Sequence, residues 1–245
     1  MSEKTSSVKA TKDVVLELKN VSAGYGDTHV LNNISMSVAR GERLAIIGRN
    51  GVGKTTTLAT IMGLTKLHSG QIYINGANVQ GIPTHKRSHL GLGFAPQTRD
   101  IFPSLTVEEN LISGLRNDGD IEEAYDLFPR LKERRNNGGG QLSGGEQQML
   151  SIARTLMGKP DILMLDEPLE GLAPTICDML MEVFERLASE ANHTIILVEQ
   201  HTELALAFAK RVIILDNGQV VFQGSAKEVR TNASILEKYV GLEMS

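Results

Sequence analysis

The stretch Gly48-Arg49-Asn50-Gly51-Val52-Gly53-Lys54-Thr55, followed by Thr56, has the spacing G-x-x-x-x-G-K-[ST] of a phosphate-binding P-loop. Glycines at those points let the backbone fold tightly and turn its N–H groups inward around a polyphosphate. Lys54 supplies a positive point charge for the β- and γ-phosphates, and the Thr55 hydroxyl is a ligand for Mg²⁺. Further along, the apolar run Leu163-Met164-Leu165 ends in Asp166-Glu167-Pro168. A carboxylate closing a buried strand is costly unless a cation faces it. Mg²⁺ held through Thr55 and water gives Asp166 that cation. Upstream of this pair lies Leu142-Ser143-Gly144-Gly145-Glu146-Gln147-Gln148. There Ser143, Gly144 and Gly145 offer a hydroxyl and bare N–H groups at the start of a predicted helix, which is a second anion site.

These groups act only if the elements around them hold them in place. Leu44-Ala45-Ile46-Ile47 reads as a buried strand feeding the P-loop, and Thr55 through Met62 as the helix after it, so phosphates would sit at a helix N-terminus. Val14 to Leu18, Val30 to Val38 and Gln71 to Gly76 read as strands of an antiparallel edge sheet. Leu92 to Ala95 is a short strand leading to Gln97. A helix-rich stretch follows. Thr106-Val107-Glu108-Glu109 has the capping-box pattern, and apolar spacing predicts one helix over Ile121 to Arg135. Asn136 to Gly140 reads as a flexible linker, and the helix opened by Ser143 is expected to reach Leu156. Pro174 starts a helix running to about Ala191, Thr194 to Val198 is a buried strand, and Glu203 to Lys210 a short helix. Asp216-Asn217-Gly218 is a hairpin turn between Val212 to Leu215 and Val220 to Phe222, and Ser225-Ala226-Lys227-Glu228 is a second capping box.

Composition narrows the class. The 245 residues are 41% hydrophobic, enough for a substantial core. Net charge is −4 and no basic stripe stands out, which argues against nucleic acid as a partner. One cysteine, Cys177, cannot form an internal disulfide and fits a reducing compartment. No apolar run approaches membrane-spanning length and no signal-peptide core is present, so a role at a membrane would need partner subunits. Met1 to Asp13, polar and rich in Ser, Thr and Lys, reads as a disordered tail.

The three motifs, in this order, resemble the ATP-binding cassette (ABC) family over about residues 14 to 241. Glu146 stands where the family's LSGGQ-like signature usually has Gln. The resemblance implies an α/β fold: a P-loop NTPase core (residues 14–98 and 159–245) with an antiparallel β edge sheet and an inserted α-helical subdomain (about 99–158). It implies an ATPase that binds ATP and Mg²⁺ in a head-to-tail dimer, with the P-loop of one subunit facing Ser143 to Glu146 of the other. By the same resemblance Glu167 polarises the attacking water, Gln97 contacts the Mg²⁺ and the water, and Tyr25 stacks on adenine. Two departures stand out. Where most members end the strand after Asp-Glu in a γ-phosphate-contacting His, Val198-Glu199-Gln200-His201 aligns Gln200 with that position and His201 one residue later. The loop Leu169-Glu170-Gly171-Leu172-Ala173-Pro174 lacks the family's common Asp.

Within the family, Leu127 to Arg135, Ser143 to Leu150, Glu170 to Pro174 and Val198 to Gln200 resemble the smaller ATP-binding subunit of branched-chain amino acid importers. Gly48 to Thr56, Pro83 to Arg87 and Arg99 to Pro103 are at least as similar to the corresponding subunit of urea and short-amide importers. Either likeness implies a second ATP-binding subunit or a second copy, two transmembrane permeases, an indirectly acting solute-binding protein, and a place on the cytoplasmic face of the membrane. Soluble ABC ATPases remain as another class. Their usual marks, tandem cassettes or a long coiled coil, do not appear in the chain.

Overall fold

A computed structural model describes residues 13–116, 119–190 and 193–241. All of the predicted tail except Asp13 lies outside the described residues, as does the predicted end of the 174–191 helix at Ala191. In chain order the elements are β1 (Val14–Tyr25), β2 (Thr28–Ala39), β3 (Arg43–Ile47), α1 (Lys54–Met62), β4 (Lys66–Ile74), β5 (Ala77–Asn78), α2 (Thr84–Ser88) and β6 (Leu92–Ala95). There follow α3 (Val107–Gly114), α4 (Glu122–Leu127), α5 (Pro129–Glu133), α6 (Gly144–Met157), β7 (Ile162–Asp166), α7 (Pro174–Glu190) and β8 (Thr194–Glu199). The chain closes with α8 (Thr202–Phe208), β9 (Arg211–Asp216), β10 (Gln219–Ser225), α9 (Ala226–Thr231) and α10 (Ala233–Tyr239).

Two sheets result. An antiparallel one has the order β2-β1-β4-β5, and a six-stranded one has the order β10-β9-β3-β8-β7-β6, parallel except for the edge hairpin β9–β10. Strands β3, β7 and β8 are apolar runs because both of their faces are covered. Ile46, Met164 and Ile196 face the antiparallel sheet and α1, where Leu16, Leu18, Leu58 and Ile61 meet them. Leu163, Leu165, Ile195 and Leu197 face α6 and α7, while Ala45 and Ile47 face α8 and α9. The α/β fold class expected from the sequence is the one observed, including the antiparallel sheet.

Four local readings need correction. Strand β1 does not stop at Leu18. It passes through a bulge at Asn20, in the left-handed region at φ 51°, where Ser35 Oγ accepts from the Asn20 N–H and donates to Asn20 Oδ1. The single helix predicted over Ile121 to Arg135 is two, because Pro129 forces Phe128 out of helical geometry (φ −133°, ψ 75°). The supposed linker is ordered: Gly138 bridges to Thr106, the Gly139 N–H donates to the Leu105 carbonyl at 2.8 Å, and a 3₁₀ turn covers Gly139–Gln141. Finally, only half of the second capping box forms. Ser225 Oγ accepts from the Glu228 N–H, but Ser225 is the last rung of the β9–β10 ladder.

Arg87 carries more of the fold than its place in a short exposed helix suggests. It is 6% exposed and donates to four main-chain carbonyls: Ile82, Val79, and Thr60 and Ile61 at the C-terminal end of α1. It therefore satisfies carbonyls left over by the helix that presents the P-loop. Arg87→Ala is expected to cost about 3 kcal/mol, because several buried acceptors lose a charged donor at once. Arg87→Met, which keeps the packing volume, should cost nearly as much. Denaturant unfolding measures both, and a loss below about 0.5 kcal/mol would exclude this role.

Candidate active site

The parallel order places three strand ends side by side. Ile47 pairs with Glu199, and Asp166 with Val198, so the P-loop after β3 and the carboxylates after β7 flank the end of β8. Ligands of open α/β sheets bind beyond such carboxyl ends. A cavity of about 290 Å³ lies there, lined by Asn50, Gly51, Gly53, Lys54, Thr55, Thr56, Gln97, Glu167, Glu170 and Gln200.

The P-loop owes its shape to backbone that few residues adopt. Gly53 caps α1 at φ 105°, and a Cβ there would lie 2.8 Å from Leu31 Cδ2. The turn of the β9–β10 hairpin braces the loop from behind. Asn217 and Gly218 both have positive φ, and the Gly218 N–H donates to the Val52 carbonyl at 3.0 Å. Val52 is buried in the core, Gly48 lends its carbonyl to Lys54, and Arg49 Nε donates to the Val240 carbonyl, so none of the three lines the cavity.

Lys54 is 4% exposed; its Nζ donates to the Gly48 and Arg49 carbonyls and lies 3.2 Å from Glu167 Oε1. The other oxygen of Glu167 accepts from Gln200 Nε2 at 2.7 Å and from Gln97 Nε2 at 3.2 Å. Glu167 is itself 6% exposed and sits at φ 47°. Gln200 thus reaches the cavity by direct contact with Glu167. His201 is exposed, caps the start of α8 and does not line the cavity. The strand end has not shifted by the one residue that would bring His201 in.

Asp166 Oδ1 accepts from Thr55 Oγ1 at 3.1 Å, while its Oδ2 is buried without a hydrogen-bond partner. Burial first, and the nearby Glu167 and Glu170 charges with it, push the Asp166 carboxyl up to about 6 against the pull of Thr55 and Lys54. An orphaned buried carboxylate oxygen beside a threonine hydroxyl fits a hard divalent cation. Among the described residues no cluster of three or more His, Cys, Asp or Glu forms a metal site.

Glu170, read in the sequence as part of a subfamily marker and of the loop that lacks the family's common Asp, also lines the cavity and accepts from Gln97 Nε2. Its reach could not be seen without the turn after Pro168. Tyr25, at the end of β1, is 52% exposed and outside the cavity lining. Ser143 and Gly144 are exposed at the N-terminus of α6 and do not line this cavity either. Glu146, in the first turn of α6, is 8% exposed. Its carboxylate turns back to accept from the Ser143 N–H and pairs with Arg130 at 2.9 Å and Arg134 at 3.4 Å. Burial works against its charge, but the Ser143 and arginine bonds hold its carboxyl below the usual range. It therefore builds the helix start rather than presenting a side chain outward.

A P-loop beside buried carboxylates at the strand ends, with a capped helix start among the helices between β6 and β7, is the arrangement of an ATP-binding cassette. The family model described as ABC transporter matches residues 31–170, and the chain belongs to that family as an ATP-hydrolysing cassette. It is 40% identical over 233 residues to the high-affinity branched-chain amino acid transport ATP-binding protein BraG of Pseudomonas aeruginosa, which covers 93% of this chain and 100% of that one. It is 38% identical over 221 residues to the probable branched-chain amino acid transport ATP-binding protein LivF of Archaeoglobus fulgidus, covering 88% and 94%. Among solved structures, the dimeric cassette MJ0796 in a post-hydrolysis state bound to ADP and Pi superposes with TM-score 0.77 at 28% identity, covering 86% of this chain and 98% of that one. CbiO1 of Clostridium perfringens, part of the transporter complex cbiONQ, superposes with TM-score 0.79 at 26% identity, covering 93% and 94%. No helix among the described residues is long and apolar enough to cross a membrane.

Proposed function

We propose that this chain powers a membrane importer for branched-chain amino acids by hydrolysing ATP. The observation that carries this reading is the 40% identity to BraG along essentially the whole of both chains. In the proposed mechanism the P-loop N–H groups and Lys54 hold the β- and γ-phosphates, and Tyr25 receives the base. The phosphates compete with Glu167 for the Lys54 ammonium. Once that ion pair opens, Glu167 Oε1 is free to orient water, while Gln200 and Gln97 hold its other oxygen. Thr55, Asp166 and the Gln97 carbonyl are the groups that would hold Mg²⁺. When bound, that ion neutralises charge building on the phosphate oxygens. Ser143, Gly144 and Gly145 of a second cassette, identical or related, close the site from the far side. ATP then joins the two subunits, and its hydrolysis releases them.

The link to the permeases is proposed to run through the segment after Gln97. Phe102 is 47% exposed, its ring stacked under the Arg154 guanidinium at 4.8 Å, beside a groove of about 600 Å³ between the core and the helical lobe. That groove would seat a permease segment and hold the chain on the cytoplasmic face of the membrane. Co-purification from native membranes in mild detergent tests the reading. Two permeases, a second cassette and a leucine-binding solute receptor are expected, and Phe102→Asp should lose the permeases while keeping ATP binding. Recovery with no membrane partner would sink the transport role. A urea-specific receptor would move the solute and leave the importer.

A further inference from the structure

Glu199 ends β8 between the P-loop and the Asp166–Glu167 pair, and it is 1% exposed. A carboxylate so placed needs donors on both oxygens. Its donors are backbone N–H groups from two different segments. Oε1 accepts from Leu169 at 3.0 Å, and Oε2 accepts from Gln200 at 3.2 Å and from His201 at 3.5 Å. One step away, the Glu167 N–H donates to the Val198 carbonyl at 2.9 Å. The strand carrying Gln200 and the turn carrying Glu167 are thus stitched twice, once through main chain and once through the Glu199 side chain. A hydroxyl of similar reach has too few lone pairs, on a single oxygen, to span both segments. Burial raises the Glu199 carboxyl, and the bonds from Leu169, His201 and Gln200 oppose that rise.

We propose that Glu199 is a positioning residue for hydrolysis: by accepting from Leu169 and Gln200 together, it fixes the Gln200 amide on Glu167 and couples that contact to the loop over residues 169–173. The inference rests on the roles given above to Glu167 and Gln200. Glu199 itself does not line the cavity, so its effect passes through Gln200. Nucleotide affinity, set by the P-loop, is expected to stay put while the hydrolytic step slows.

The test uses the full chain with Glu199→Gln, Gln200→Ala, the double variant, and Glu167→Gln as reference. Single-turnover hydrolysis and binding of a fluorescent ATP analogue are both read. Glu199→Gln should slow hydrolysis about 10- to 100-fold, the scale of a small misplacement at a reacting centre. Analogue affinity should stay within about twofold. The double variant should be no more than about twofold slower than Gln200→Ala, because both changes remove one contact. A normal rate in folded Glu199→Gln overturns the proposal. So do multiplicative losses in the double variant, or equal losses of affinity and rate. If Glu199→Gln does not fold, Glu199→Asp keeps the charge, shortens the bridge by one methylene and is read identically. Near-normal turnover in Glu167→Gln removes the underlying reading instead. Slow Glu167→Gln beside multiplicative Glu199 and Gln200 losses removes only the inference.

Discussion

Glu167→Gln is expected to bind ATP and to hydrolyse it about 10²- to 10⁴-fold more slowly. The two side chains are nearly isosteric, so the cavity keeps its shape. What changes is the set of acceptors. Glu167 now gathers the Lys54 ammonium on one oxygen and the Gln200 and Gln97 amides on the other. A glutamine must set an NH₂ against one of these donors. It has no charge to draw a proton from water, and no ion pair with Lys54 for the phosphates to displace. Binding should therefore be equal or tighter, with the complex stalled before chemistry. Equilibrium nucleotide binding and single-turnover release of phosphate separate the two effects. Turnover within about threefold of the parent would take Glu167 out of the hydrolytic step.

Asp166→Asn is expected to move stability and activity in opposite directions. The Asp166 carboxyl is raised to about 6, above its unfolded range, chiefly because burial disfavours the charge. Between those two values the unfolded chain has released a proton that the folded chain still holds. The ligand-free fold therefore loses stability as pH climbs from about 4 to about 6, and the loss is complete above the folded value. Asparagine has no charge to desolvate, so at pH 7 the ligand-free variant should gain about 2 kcal/mol. Mg²⁺-supported hydrolysis should fall roughly 100-fold or more, since the orphaned Oδ2 becomes a neutral amide end. In the parent, a proton competes with the cation for this carboxylate. The Mg²⁺ concentration needed for half-maximal rate should climb about tenfold per pH unit below about 6, and Asp166→Asn should lack that limb. A variant less stable than the parent at pH 7, or with an unchanged Mg²⁺ requirement, would contradict this account.

Much of the site was legible because its chemistry is local in sequence. The P-loop needs its glycines, Lys54 and Thr55 within eight residues, since one turn of backbone must wrap one phosphate group. The Asp166–Glu167 pair announced itself by closing an apolar run, and the Thr106–Glu109 capping box by its i, i+3 spacing. Sequence and structure part where a partner distant in sequence decides the outcome. Asn136 to Gly140 has a linker's composition, yet Leu105 and Thr106 give its backbone partners and it folds. The pairs that Glu146 makes with Arg130 and Arg134 join residues too far apart in the chain for the sequence to show them. The break at Phe128 has a local cause, Pro129, which the apolar periodicity around it masks.

By itself the sequence determined the glycine-rich loop with Lys54 and Thr55, the carboxylate closing a buried strand, the capped helix starts and the alternation of strands and helices. Each of these depends on bonds within a turn or two of chain, or on the burial preference of a contiguous run. Tertiary structure alone decided which strand ends lie together. Residues 47, 166 and 199 are far apart in the chain, and only the order β3-β8-β7 brings them side by side. That order chose Gln200 over His201 as the residue facing Glu167, because a strand's register fixes which side chain its end presents. It also turned Glu199 into a bridge between two loops. A buried carboxylate takes whatever donors the fold brings within hydrogen-bonding distance, and here they come from residues 169, 200 and 201.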